Sequence, residues 1–216
     1  MHKAYVLVEG RGEEKAAQNL LVRLSEDVGY YFPWARPIRM INSHLWESDR
    51  HQGGVKKYIN WIRTKKDVGA LLIMRDEDDG CPKELAPDIA RRISRLNLHF
   101  PVAYVLLHPE YEVLFLPCLE LMAGDFPDGR KGLKPGTKWN TGWEARRGIK
   151  EWLSSHFQEG RRYKPSLDQL PMTRRIDFSL LRSAGVPSFG SLERAIKFLG
   201  EHFDSQGYVY PSPFST

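Results

Sequence analysis

The sequence predicts an α/β fold, with a mostly parallel central sheet flanked by helices and a C-terminal helical extension. Short apolar runs of β-rich composition alternate with segments of helical spacing up to residue 122, and past residue 143 only helical spacing recurs. The run Ala70-Leu-Leu-Ile-Met74 is continuously apolar, as in a strand buried on both faces of a parallel sheet.

Ala4-Tyr-Val-Leu-Val8 is the first strand, and Ala17, Leu20, Leu21, Leu24 and Val28 then fall on one helical face. Pro37 to Ile41 is a weaker strand, followed by a helix marked by Val55, Tyr58, Ile59 and Ile62. After the run at 70–74 come a helix through Leu85, Ile89, Ile93 and Leu96, a strand over Val102–Leu107, and a helix from Val113 to Met122. Periodicity collapses from Gly124 to Trp143 into a Gly, Pro and Lys-rich stretch, which places a boundary near residue 125. The two expected parts are a catalytic domain over 1–125 and a basic loop with helical extension over 126–216. Helices are expected over 149–157, over 178–184 behind an N-cap at Asp177, and over 192–203, with a loose tail from Tyr210.

With 216 residues the chain is one large domain or a domain with an appendage, and its 41% hydrophobic and 27% charged residues exclude a disordered class. No run approaches the roughly 18 apolar residues of a membrane span, and Met1-His2-Lys3 leads straight into a strand, so a soluble, cytoplasmic protein with no membrane association is expected. Cys81 and Cys118 form no CxxC pair, which speaks against a disulfide scaffold or zinc ribbon. Residues 1–125 carry 17 Lys and Arg against 18 Asp and Glu, whereas residues 126–216 carry 15 against 9. A basic back half suits an anionic polymer, although a solvated basic surface accounts for it equally well.

Three strand ends carry acids, and open α/β sheets bind ligands outside the carboxyl ends of their strands. The first strand runs into Glu9-Gly10-Arg11-Gly12-Glu13-Glu14, where the two acids after Gly12 also complement a helix dipole. Asp76-Glu77-Asp78-Asp79 follows the most apolar strand, and in extended backbone Asp76 and Asp78 point to one side. Oxygen ligands of this kind suit Mg²⁺ or Mn²⁺ better than zinc. The last strand leads through His108-Pro109 to Glu110-Tyr111-Glu112. A dinucleotide fingerprint, a P-loop, a nucleophile elbow, an EF-hand and HExxH are all absent. In the back half, Arg130, Lys131, Lys134, Lys138, Arg146, Arg147 and Lys150 are candidate phosphate contacts. Trp139 and Trp143 interleave with them, either to stack on bases or to anchor packing. Arg174 and Arg175 stand as counter-charges to the acids or as contacts to a reacting phosphate.

VEGRGEEKAAQNLLVRL, LLIMRDEDDGCPKEL, HPEYEVLFLP and PMTRRIDFSLLRSAGVPSFGSLERAIKFL, in this order, resemble the DUF4276 family of Toprim-like proteins. The resemblance implies a Toprim-like fold and kinship with the nuclease domains of overcoming-lysogenization-defect proteins. It places the family's strand-one glutamate on Glu9, the helix-start acid on Glu13, the DxD pair on Asp76 and Asp78, and the later acid on Glu112. Val113-Leu114-Phe115-Leu116 departs from the tryptophan-bearing pattern of many relatives, which affects local packing and leaves the acids in place. The expected activity is metal-dependent hydrolysis of phosphodiester bonds in DNA or RNA, with Glu9, Asp76 and Asp78 holding Mg²⁺ or Mn²⁺ and Glu13 and Glu112 completing the site. An ABC-type ATPase partner in anti-phage defence is a further implication, and a homo-oligomer is a further expectation. The competing expectation is a non-catalytic regulatory subunit that docks on such an ATPase; synthesis of a primase-like kind ranks below both.

Overall fold

The computed structural model describes residues 1–47, 53–145 and 147–213. Among these, five strands form one all-parallel sheet: β1 (Lys3–Val8), β2 (Ile38–Arg39), β3 (Val68–Asp76), β4 (Val102–Leu107) and β5 (Val209–Tyr210), in the spatial order β2-β1-β3-β4-β5. The helices are α1 (Glu13–Asp27), α2 (Val55–Arg63), α3 (Pro82–Ser94), α4 (Ile149–His156), α5 (Pro165–Thr173), α6 (Phe178–Ala184) and α7 (Pro187–Glu201), with a long 3₁₀ segment over Tyr111–Met122. No described helix is long and apolar enough to cross a membrane.

Alternation along each strand divides two apolar layers. Val6 and Val8 of β1, Leu72 and Met74 of β3 and Val105 and Leu107 of β4 face α1, the 3₁₀ segment and α7. Leu7, Ile73 and Tyr104 face α2 and α3. Burial on both sides is why β3 reads as an unbroken apolar run, and why its first eight residues are all buried.

Three features differ from the sequence expectation. The segment after β4 is a series of 3₁₀ turns instead of an α-helix. Its apolar residues are buried nearly all round, and Pro117 removes a donor that an α-helix would use. Helix α5 has no counterpart among the expected elements. The tail is not loose at its start, because Val209 and Tyr210 pair with Val102 and Ala103 and extend the sheet. The back segment is therefore woven into the fold, with α7 on β4 and α5 on α1. The expected cap of α6 is present, since Asp177 accepts the Ser179 N–H at 2.8 Å.

The α1–α5 contact depends on a glycine. A Cβ at Gly12 would lie 2.6 Å from the Pro165 carbonyl oxygen, an approach that backbone cannot relieve without moving α5. Gly12→Ala is expected to lower the unfolding free energy by about 1–3 kcal/mol in urea denaturation; wild-type stability would mean that α5 does not press on this turn.

Candidate functional site

The strand order reverses direction at β1, whose neighbours are β2 on one side and β3 on the other. The crevice beyond the carboxyl ends of two such strands is the usual ligand position in open α/β sheets. Glu9 follows β1, Asp76 closes β3, and the segment after β4 brings Glu110 and Glu112 to the same place.

Asp76 keeps only 11% of its side chain exposed. Its Oδ1 accepts the Tyr111 N–H at 2.8 Å, and its Oδ2 lies 3.4 Å from Lys150 Nζ. Glu13 turns back over the β1–α1 loop, where its carboxylate accepts the N–H groups of Gly10 at 3.0 Å and Glu9 at 3.2 Å. Gly10 makes room for it, because a Cβ there would sit 2.6 Å from Glu13 Oε1. Glu112 is fully buried; its Oε1 accepts from Tyr163 Oη at 2.6 Å and from Gln169 Nε2 at 3.3 Å, while its Oε2 has no hydrogen-bond partner.

Lys150, on the first turn of α4, reaches into this group. Its Nζ lies 2.8 Å from Glu110 and 3.5 Å from Glu112, in addition to Asp76. Glu110 also accepts the Lys150 backbone N–H at 3.0 Å. One ammonium thus serves three carboxylates. Burial pulls its pKa down, but the charges of Glu112, Asp76 and Glu110 outweigh that and hold it above the ordinary lysine value.

The acids respond in the opposite direction. Burial, followed by the charge of Glu112, pushes Glu13 up to about 7. Burial and the Glu13 charge drive Asp76 well above the usual carboxylate range, with Lys150 opposing. Burial likewise raises Glu112, against Lys150. Glu9 is less buried, and its charge adds to the repulsion on both Glu13 and Asp76. The site is a partly enclosed concentration of negative charge that attracts cations and protons.

The expected trio of Glu9, Asp76 and Asp78 is not what gathers. β3 ends at Asp76 and the chain bends at Asp78, so the two-residue alternation lapses there and the Asp78 side chain is exposed. The four consecutive acids are separated by partner. Asp76 joins the cluster, Glu77 forms a buried ion pair with Arg75, and Asp79 pairs with Arg147. Among the described residues no three Asp, Glu, His or Cys side chains form a ready-made metal nest. His108 donates from Nδ1 to the Glu77 carbonyl at 2.5 Å.

Most of the expected phosphate contacts are engaged within the chain. Arg130 pairs with Asp128 and Asp168, Lys131 with Asp125 and Glu159, and Lys134 donates to the Ser155 carbonyl. Arg147 is paired with Asp79, Lys150 belongs to the acid cluster, Lys138 is exposed, and Arg146 lies outside the described residues. Trp139 and Trp143 donate to the carbonyls of Gly142 and Ala184 and pack against the core, which is the anchoring alternative. Arg175 caps the end of the 3₁₀ segment through the carbonyls of Leu121, Ala123 and Asp125.

Lys150 as an interior counter-ion, Tyr163 and Gln169 are site residues without a place in the sequence expectation. Glu110 stands there only as one of the acids after β4. The others reach the site only through the packing of α4 and α5 on the front half.

The family model described as a domain of unknown function, DUF4276, matches residues 8–197. No curated protein and no solved structure matches the chain.

Because Glu13 binds its proton more tightly folded than unfolded, the folded state holds more protons between about pH 4.5 and 7. Stability should fall as pH rises through that window, by at most about 3 kcal/mol from this group, and level off above it. In metal-free buffer, Glu13→Gln should flatten the decline seen in denaturation midpoints from pH 5 to 8; an unchanged slope would mean that Glu13 is not the group that titrates.

Proposed function

The chain belongs to the DUF4276 family, and from the carboxylate cluster at the switch point of its sheet we propose a metal-dependent phosphodiester hydrolase, a nuclease of Toprim-like type. The observation that carries this reading is the burial of Asp76, Glu13 and Glu112 beside one another at the carboxyl ends of parallel strands. Burying like charges is costly unless a cation accompanies them.

In donor type the residues suit Mg²⁺ or Mn²⁺. All the available donors are carboxylate oxygens, the chemistry these ions select. Glu112 Oε2 is buried, accepts no hydrogen bond and lies 3.5 Å from Lys150 Nζ, so a divalent cation there would compete with that ammonium. A bound divalent ion would activate water and offset charge on the phosphate.

Asp76 and Glu112 are each oriented through one oxygen, and their second oxygens face Lys150 Nζ. The Tyr111 N–H fixes Asp76 through Oδ1, and Tyr163 with Gln169 fixes Glu112 through Oε1. The N–H groups of Glu9 and Gly10 hold Glu13. Asp76, Glu13 and Glu112 would be the ligands, with Glu9 at the rim. Lys150 places a positive charge beside them, where negative charge grows on a phosphate under attack. The effector role in anti-phage defence and the ABC-type ATPase partner rest on the family resemblance alone.

One observation favours the second reading. Lys150 already neutralises part of the cluster and Asp78 stands outside it, as suits a regulatory subunit whose buried acids serve packing and whose task is to dock on an ATPase.

Cleavage of labelled DNA and RNA with Mg²⁺ or Mn²⁺ separates the two. Asp76→Asn and Glu112→Gln are each expected to reduce cleavage about 100-fold or more, because displaced ligands misplace the reacting groups. Wild-type rates in both variants would remove the site assignment. Absence of cleavage by the chain both alone and with its ATPase and ATP would favour the regulatory subunit.

A further inference from the structure

We infer that a single nucleic-acid strand is held in a groove between α1, α5 and the segment entering β2, and not on the basic loop over 126–150. This rests on the nuclease reading and specifies how its substrate is bound.

The groove has a volume of about 600 Å³ and carries Lys15, Arg36 and Arg174 on its walls. All three are exposed, and none has an ion pair or side-chain hydrogen bond among the described residues. The contrast with Arg130, Lys131 and Arg147, each held by an acid of the same chain, is the basis for choosing this surface. A cation already paired must give up its carboxylate to take a phosphate, whereas an unpaired one gains the full interaction. Glu14 is the one acid in the lining.

The rest of the lining suits nucleotides. Val22 and Leu170 supply apolar floor on which sugars and bases can rest. Gln18 and Asn19 also line the groove, and their amide oxygens are buried without a hydrogen-bond partner. An oligonucleotide that draws either side chain outward offers it sugar hydroxyls and base amino groups, donors that a simple anion does not have.

Two helices, α1 and α5, contribute to both the groove and the acid cluster. The first turn of α1 sends Glu13 to the cluster and Glu14 and Lys15 to the groove. Helix α5 does the same, with Gln169 on Glu112 and the next residue, Leu170, in the groove. A strand lying along α1 would run toward the helix's N-terminal end, where Glu13 leaves for the cluster.

The test is fluorescence anisotropy of a labelled single-stranded oligonucleotide of about 12 nucleotides in EDTA, so that binding is read without metal or cleavage. Arg36→Ala with Arg174→Ala is expected to raise Kd about tenfold or more and to reduce the slope of log affinity against log salt by about 1.4. Lys15→Glu, on the other wall, should weaken binding in the same direction, while Arg130→Ala with Lys131→Ala leaves Kd within about twofold. Wild-type affinity and slope in the groove variants, no binding of single strands by the wild type, or equal dependence on these residues for duplex DNA would each overturn the inference. Asp76→Asn measured in the same assay keeps the two questions apart. Retained binding with lost cleavage upholds the carboxylate site whatever the groove variants do, and lost binding in the groove variants leaves that site to be judged by cleavage.

Discussion

The sharing of one ammonium among three buried carboxylates is the constraint from which the site follows. Asp76, Glu110 and Glu112 come from the ends of two adjacent strands and the segment after them, and none could be enclosed with full charge without a cation at hand. Lys150 meets that need from the first turn of α4, which ties the back half of the chain to the sheet. The long Gly and Pro-rich connection before α4 thereby serves a definite purpose: it carries the lysine across to the acids.

Orientation within the cluster is set by neutral donors. Backbone N–H groups of Glu9, Gly10 and Tyr111, the Tyr163 hydroxyl and the Gln169 amide each hold one carboxylate without cancelling its charge. Such donors fix geometry while leaving electrostatic demand, a combination that a purely structural ion-pair network does not require. Two glycines make it possible. Gly10 lets the Glu13 carboxylate fold back, and Gly12 lets α5 close over it with Gln169.

What could be read from the sequence is what short-range pattern controls. The apolar runs at 4–8, 70–74 and 102–107 mark three strands, and acids directly after them mark the pole where chemistry belongs. Asp78 lies two residues past the end of β3, where strand alternation no longer sets side-chain direction, so its separation from Asp76 is not legible in the spacing. Lys150 reads as one more surface cation, because nothing in its neighbourhood of sequence distinguishes a lysine aimed at buried acids from one aimed at water. The same limit hid Tyr163 and Gln169, and a two-residue strand such as β5 leaves too little pattern to detect. Pairing of Arg130, Lys131 and Arg147 with acids is likewise a tertiary fact that charge counting cannot supply.

The position of β5 has a consequence for how the molecule is made. It lies against β4, yet residues 108–208 separate the two, so the outer edge of β4 has no strand beside it until residues 209 and 210 have left the ribosome. The face that α7 covers waits almost as long. Nascent chains therefore carry an open sheet edge and a bare apolar surface while the intervening residues are made, the condition in which chaperones engage and premature self-association sets in. Stalling or truncation ahead of Val209 would strand the protein there, whatever the state of its acids.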